Sequence, residues 1–211
     1  MSLWNLIVKG GLIMIPILLA GVLTLAIVIE RLLSLKNAEI DNEKFIKEIE
    51  ELLKRRKIKE ALQLCEEQDK PVPRVIKAGL LKSDRSREEI KESIDDAANH
   101  EIPVLEKYLG IIATIATIAP LLGLLGTVTG LIKAFMVIEA KGGLVNPGEL
   151  AGGIWEALVT TVAGLTVAIP AYLAYNYFVS RVNNIILQME KSATRLIDIL
   201  FFLKAEEGEE V

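Results

Sequence analysis

Residues 152–176 read GGIWEALVTTVAGLTVAIPAYLAYN, a run that is uncharged except for Glu156 and apolar over most of its length. The carboxylate needs an explanation, because a charge at the centre of a bilayer costs roughly 2.5–3.5 kcal/mol on insertion scales. Such a residue lies near the membrane edge, is neutral, is paired with another group, or has a function. The rest of the sequence helps to separate these readings.

Charged and apolar residues are segregated along the 211-residue chain. Its mean hydropathy is +0.41 although 25% of its residues are charged. Residues 10–29, 109–132 and 157–180 contain no charged side chain, and each run reaches the ~20 residues that a helix needs to cross the hydrocarbon layer. No strand pattern competes with these long runs. The sequence therefore predicts an all-α integral membrane protein with three transmembrane helices, two of which continue into a cytoplasmic helical region.

The orientation follows from the basic residues that flank the runs. Arg31, Lys36, Lys107 and Arg181 lie on one side, and this side is expected to be cytoplasmic. Because Glu30 and Arg31 stand where a signal peptide would have a small-residue cleavage site, the first run is expected to be retained. The predicted order is the N-terminus with helix one (1–33), a cytoplasmic helical segment (34–106), helix two (107–138), a short periplasmic loop (139–150), helix three (151–180) and a cytoplasmic helical tail (181–211).

The polar segment carries helix signals. Asp41 can cap an amphipathic helix with apolar residues at 45, 49, 52 and 53, and Ser86 with Glu89 forms a capping-box signature. A second short helix is expected in KIKEALQLCEEQ, after which KPVP at 70–73 is expected to break the chain.

Small residues follow regular faces of the second and third runs. In the second run they recur at spacings of three and four, and bulky aliphatic residues, Ile115 among them, are expected on the opposite side. The third run has two adjacent small stripes, one through Glu156 and Thr160 and the other through Thr161. Since small residues mark close helix contacts in membranes, the third helix is expected to have two protein neighbours or one neighbour and a cavity. Oligomerisation would supply such neighbours.

Two interpretations of Glu156 stay open at this stage. It can be a carboxylate close enough to the headgroups to remain hydrated, or an ionisable group that lines an ion path together with Thr160 one turn away and Thr127 or Thr161 nearby. Each threonine hydroxyl can instead simply bond the carbonyl three or four residues earlier. Pro120 and Pro170 interrupt their spans and are candidate hinges.

Other functions find little support. There is one cysteine, Cys65, and one histidine, His100, so no cluster of such ligands for a metal is expected. GLLGTVTG lacks the Lys-Ser/Thr of a phosphate-binding loop, and no basic patch with interleaved aromatic residues suggests nucleic acid. We expect neither a cofactor nor an enzyme activity.

Two segments resemble the signature spans of a known family. APLLGLLGTVTGLIKAF (119–135) and the opening stretch (152–176) are similar to the MotA/TolQ/ExbB proton-channel family, most of all to its ExbB/TolQ branch. The resemblance covers essentially the whole chain, and the fourth span of MotA-type members is absent from this sequence. It implies an ion channel, with protons favoured over sodium, in the bacterial inner membrane.

The resemblance also implies partners and roles. It implies a pentamer of this chain around a dimer of a single-span ExbD/TolR-type protein, with a TonB/TolA-type protein spanning the periplasm and ion-motive force driving work on the envelope. Carried over to this sequence, the ion-pathway residues are Glu156, Thr127 and Thr161, whereas helix spacing alone also favours Thr160. Packing or hinge positions are Gly123, Gly126, Gly130, Pro120, Gly164 and Pro170.

From these arguments we expect the Glu156–Thr160 face to line a central pore and Thr161 to face Thr127. The adjacent threonines 160 and 161 leave sodium open as the ion, because hydroxyl oxygens can replace part of its hydration shell. A non-conducting scaffold that assembles envelope partners is the alternative function. A solute transporter is disfavoured, because three spans without an inverted repeat offer no alternating-access architecture.

Overall fold

The computed structural model describes residues 10–143 and 145–209, with side chains up to residue 205. All regular secondary structure in these ranges is helical, which confirms the all-α prediction. The helices are α1 (Met14–Ala38), α2 (Asn42–Lys54), α3 (Ile58–Gln68), α4 (Pro71–Leu81), α5 (Arg87–Leu105), α6 (Leu109–Ala140) and α7 (Pro147–Glu209).

Three helical stretches are long and apolar enough to cross a membrane. They lie within Met14–Lys54, Arg87–Ala140 and Pro147–Ala205, which confirms three candidate spans for the described residues. Only 22%, 22% and 28% of the residues in these apolar stretches are buried inside the chain. Most of their surface is therefore left for lipid or for other protein.

The chain divides into two compact units, each held by its own contacts. An apolar unit comprises Met1–Arg31 and Tyr108–Phe178, and a polar unit comprises Leu32–Lys107 and Val179–Val211. Helices α1 and α7 contribute residues to both units. A short connection joins α6, which ends at Ala140, to α7, which begins at Pro147.

The polar unit is built from α2 to α5 and the second half of α7. Asp41 Oδ1 accepts the Lys44 amide at 3.2 Å, and Ser86 Oγ accepts the Glu89 amide at 3.2 Å, so both predicted caps are present. Its core collects aliphatic side chains that are fully enclosed, and these include Ile49, Ile76, Leu80, Ile90, Ile185 and Leu196. Burying such side chains supplies the main driving force for the unit, at roughly 1.5–3 kcal/mol each.

The KPVP segment is more than a break. The chain does turn at Asp69, whose φ is 38°, but Pro71 then begins α4 and occupies its first turn. Proline is suited to this position because its φ is already helical and the amide it lacks has no intrahelical acceptor there. Sequence reasoning recognised the interruption and missed the helix that follows it.

Ion pairs connect the second half of α7 to the other helices of the polar unit. Arg195 Nη2 lies 2.7 Å from Glu50 Oε2, and Arg87 Nη2 lies 2.9 Å from Asp198 Oδ1. Hydrogen bonds from Lys54 and from Arg195 hold the pKa of Glu50 below its ordinary value. Since these side chains are partly exposed, each pair adds little stability.

Cys65 provides a test of the polar core. The residue is 1% exposed, and burial raises the pKa of its thiol from 9.0 to about 12. Because the thiolate is the reactive species, iodoacetamide at about pH 8 is expected to leave Cys65 unmodified in the folded chain and to modify it after denaturation, as measured by mass spectrometry. Since the unfolded thiol ionises first, the folded state should also lose stability as the pH rises above 9.0.

The matched control is Glu88→Cys in a Cys65→Ser background, because Glu88 is exposed in the same unit. Its thiol should be alkylated readily in the folded chain. Equal rates for the two thiols would contradict the described core.

Candidate functional site

Helices α6 and α7 of the apolar unit approach each other through small residues. A Cβ built on Gly130 would lie 2.6 Å from Gly153 O, and one on Gly164 would lie 2.5 Å from Ala119 O. A Cβ on Gly123 would meet the Thr160 carbonyl oxygen at 3.0 Å. Distances this short leave no room for a side chain, so these glycines set how closely the two backbones approach. We call this contact the glycine seam; its glycines are 123, 126, 130, 153 and 164.

The pairing along the seam is antiparallel, since residues further along α6 meet residues earlier in α7. Ala119 meets Gly164, Gly123 meets Thr161, and Gly130 meets Ala157. The small face predicted for the second run is therefore confirmed as a contact face. One residue departs from the prediction: Ile115, which helical spacing places on the bulky side, is buried.

The stripe of α7 that carries Glu156 also includes Val167, and it packs against α1 and the residues just before α1. A Cβ on Gly21 would lie 3.1 Å from Val167 Cγ2, and one on Gly11 would overlap the Glu156 carboxylate. Helix α7 thus has two neighbours within its own chain, as the two stripes predict. These contacts already account for both stripes, so the stripes by themselves do not require an oligomer.

The two candidate prolines are placed differently from the glycines of the seam. Pro120 is half-buried inside α6, whereas Pro170 is exposed inside α7. Neither interrupts its helix, so both are accommodated within continuous helical segments.

Thr127 and Thr161 face each other across the seam, as expected. Their hydroxyl oxygens are 2.5 Å apart, so one hydroxyl donates to the other. The Gly123 carbonyl oxygen lies 3.2 Å from each hydroxyl and can accept from either. The result is a small polar cluster inside an apolar helix pair.

Thr160 is not on a free face. Its side chain is fully enclosed, its hydroxyl donates to the carbonyls of Glu156 and Ala157 at 2.9 Å, and it packs on the bare backbone of Gly126. Thr160 is thus enclosed between the two helices of this chain, and its place on a pore stays a prediction. The reason for the enclosure is steric: Gly126 has no Cβ and leaves a recess that the threonine fills. The simpler reading, a hydroxyl bonded to its own helix, holds for this residue.

Glu156 is paired. Its Oε1 lies 2.6 Å from Lys133 Nζ, which reaches across from α6. The carboxylate side chain is 15% exposed and the lysine side chain is 56% exposed. Gly11, which precedes α1, also lies against the same carboxylate, and its φ of +69° and missing Cβ allow this close approach of its backbone.

Sequence reasoning missed Lys133 because this lysine was counted only among the basic residues near the predicted 139–150 loop. The information was available in the antiparallel register. Lys133 comes six residues after Thr127, and Glu156 comes five residues before Thr161, so a contact between the threonines brings the two charges together.

The site can stabilise and exchange charge in an apolar setting. It contains a carboxylate, an ammonium group and two hydroxyls on one helix pair, and the described residues hold no group of three His, Cys, Asp or Glu suited to a metal. Fold and site together define a multi-span helical membrane protein with an ionisable pair in its spanning region.

The sequence comparisons then identify the family. The pattern of the MotA/TolQ/ExbB proton channel family matches residues 67–191, and the chain belongs to this family. It is 31% identical to ExbB-like protein 3 of Synechocystis over 80% of this chain and 81% of that protein. It is 46% identical to the biopolymer transport protein ExbB of Aquifex aeolicus, over 41% of this chain and 57% of that protein.

A third relative is a TolQ protein, whereas the first two are ExbB proteins. The Tol-Pal system protein TolQ of Haemophilus influenzae is 42% identical over 42% of this chain and 39% of its own length. These relatives place the chain in the ExbB/TolQ branch and, with the three apolar helices, support a multi-pass inner-membrane protein.

The glycine seam can be tested at Gly126. Replacing it with alanine places a Cβ on top of the Thr160 hydroxyl, so Gly126→Ala is expected to lower stability by about 1–3 kcal/mol through overpacking. The measurement is the unfolding free energy or thermal midpoint of the purified protein in detergent.

Two variants serve as controls for that measurement. Gly110→Ala in the same helix meets nothing within 4 Å and should be neutral or slightly stabilising. Gly126→Ala/Thr160→Gly removes the obstructing side chain and should recover part of the loss. A stable Gly126→Ala single variant would contradict the seam.

Proposed function

We propose that this chain is an ion-conducting channel subunit of an ExbB/TolQ-type inner-membrane motor, which couples ion-motive force to work on the cell envelope. The observation that carries the proposal is that the α6–α7 helix pair holds both the Glu156 carboxylate, paired with Lys133, and the Thr127–Thr161 hydroxyl pair, whose oxygens are 2.5 Å apart. Polar groups are retained in membrane helices at a cost in free energy, and they commonly mark ion or proton pathways.

In this proposal Glu156 is the ionisable group of the pathway. Its carboxylate is partly accessible and is held between α6 and the segment leading into α1. Thr161, five residues after Glu156 on α7 and about 7.5 Å further along the helix axis, continues the polar path together with Thr127 of α6. Thr160 has a packing role, since its hydroxyl is enclosed and bonded to its own helix.

The proposal includes partners that the family supports. ExbB/TolQ proteins work with ExbD/TolR-type and TonB/TolA-type partners, and we propose a pentamer of this chain around an ExbD/TolR-type dimer. The names of the relatives, biopolymer transport protein ExbB and Tol-Pal system protein TolQ, support an envelope task. The large exposed apolar surface of the spanning stretches is compatible with such an assembly.

The proposed topology places the N-terminus and the 139–150 connector in the periplasm. The polar segment 34–106 and the tail 181–211 are then cytoplasmic, which agrees with the basic residues Arg31, Lys36, Lys107 and Arg181 on that side. The ion is H⁺ or, as the second possibility, Na⁺.

Glu156→Gln tests the proposal. In liposomes that hold the chain with its ExbD/TolR-type partner, the variant is expected to reduce ion flux on the order of 100-fold, the lower end of the contribution of a positioned proton carrier. A pH-sensitive dye inside the liposomes reports the flux under a proton gradient, and sodium uptake is measured under a sodium gradient.

Glu149→Gln is the matched control, because Glu149 lies on the same helix and is also paired with a lysine, Lys141, but is exposed. It should conduct like the wild type. Full flux in an assembled Glu156→Gln complex would reject the pathway role. An assembled wild-type complex without flux would favour the non-conducting scaffold.

Thr161→Val tests the hydroxyl pair. Valine has nearly the same shape but cannot hydrogen-bond to Thr127, so flux is expected to fall about fivefold, equivalent to one hydrogen bond of about 1 kcal/mol. Thr166→Val is the control, since the Thr166 hydroxyl is exposed and bonds only the Val162 carbonyl among the contacts of the described chain. Equal flux from both variants would remove Thr161 from the pathway.

A further inference from the structure

We propose that the Lys133 ammonium group is a built-in cation at Glu156, and that it excludes sodium from this carboxylate and makes the pathway select protons. The inference rests on the proposed function, because it assigns the ion to the same site. It concerns a residue that sequence reasoning did not include among the pathway residues.

The position of Lys133 is fixed by the glycine seam. The next residue, Ala134, packs on Gly153, because a Cβ built on Gly153 would lie 3.1 Å from Ala134 Cβ. One turn earlier on α6, Gly130 packs on Ala157. The α6 and α7 backbones are thus in contact both before and after the Lys133–Glu156 pair along each helix. The lysine stem needs only to cross this short gap to bring Nζ within 2.6 Å of Glu156 Oε1.

The Lys133 ammonium group takes the place that a sodium ion would otherwise occupy beside the Glu156 carboxylate. It neutralises the carboxylate and donates a charge-assisted hydrogen bond to it. A sodium ion arriving at Glu156 would meet the positive charge of Lys133, and like charges repel most strongly where water is partly excluded. The carboxylate side chain is only 15% exposed, so this repulsion is screened less than at an open surface.

The nearby hydroxyls are poorly placed to complete a sodium shell. Thr160 is enclosed against Gly126 and directs its hydroxyl to the carbonyls of Glu156 and Ala157. Thr161 is engaged with Thr127 and with the Gly123 carbonyl. The adjacent threonine pair, which on sequence grounds left sodium open, is therefore occupied with packing and with helix contacts.

A proton is treated differently from sodium. It forms an O–H bond on the Glu156 carboxyl, which removes the charge that holds Lys133, and the hydrogen bond from the ammonium group breaks. The ammonium keeps its three protons, and no other bond changes. Because the Lys133 side chain is 56% exposed within the chain, its flexible stem can carry the ammonium group away from Glu156 when the carboxyl is neutral.

Lys133→Gln is the informative variant, since glutamine removes the charge but keeps an N–H that can bond Glu156. Proton flux is measured in liposomes that hold the chain and its partner, with sodium chloride or with choline chloride at constant ionic strength. Wild-type flux should be the same in both salts. Flux through Lys133→Gln should be lowered by sodium roughly fivefold, the equivalent of a partly exposed ion pair of about 1 kcal/mol.

Two controls accompany this variant. Lys133→Arg keeps the positive charge and should stay insensitive to sodium. Lys141→Gln removes a lysine that is paired with Glu149 instead of Glu156, and it should also stay insensitive. A sodium effect that also appears in Lys141→Gln would be non-specific and would overturn the assignment.

A second measurement covers the case in which Lys133→Gln assembles poorly with its partner. The thermal midpoint of the purified chain in detergent should rise with sodium chloride relative to choline chloride in Lys133→Gln and not in the wild type, because a ligand that binds the folded state stabilises it. No difference between the salts in either protein would overturn the proposal.

The outcomes separate this inference from the proposed function. If Glu156→Gln abolishes flux and Lys133→Gln shows no sodium effect in either measurement, the channel stands and the role of Lys133 falls. If Glu156→Gln conducts like the wild type, the pathway itself falls. Sodium uptake through the wild-type complex that depends on Glu156 would also overturn the exclusion of sodium.

Discussion

The close approach of α6 and α7 is the constraint on which the apolar unit depends. In water, apolar side chains drive helices together, but lipid tails are as apolar as leucine, and helices in a membrane associate through tight packing instead. Here that packing is made by backbone against backbone, at Gly130 with Gly153 and at Gly164 with Ala119. Many bulky side chains of the two helices are exposed within the chain, Leu121, Leu124, Leu158 and Val162 among them, so little of these two apolar stretches is buried.

The polar site is a product of the same packing. An antiparallel pair of helices has one register when its glycines must meet backbone, and this register brings Thr127 to Thr161 and Lys133 to Glu156. The charge that looks isolated in the linear sequence is thus compensated by a residue more than twenty positions away. In the polar unit, by contrast, an aliphatic core provides the cohesion, and ion pairs such as Arg195 with Glu50 lie at its surface.

Much of this arrangement is predictable from the sequence, for identifiable physical reasons. Span number follows from runs without charge, caps follow from Asp41 and Ser86, and the faces of the spanning helices follow from helical spacing. The threonine pairing needed the family resemblance in addition. What sequence reasoning could not supply was the rotational detail at Thr160, because only the missing Cβ of Gly126 decides whether that hydroxyl is open or enclosed. It also missed α4, since two prolines mark a break and a helix start equally well.

The seam also limits how the protein can move. Sliding α6 along α7 by a single residue, a rise of about 1.5 Å, would carry the Cβ atoms of neighbouring residues into positions where only glycine fits. The two helices are therefore expected to move together as one rigid body. Any mechanical stroke in this protein must therefore be made by the whole pair relative to its surroundings, and the energy of that stroke is not stored by shear within the pair.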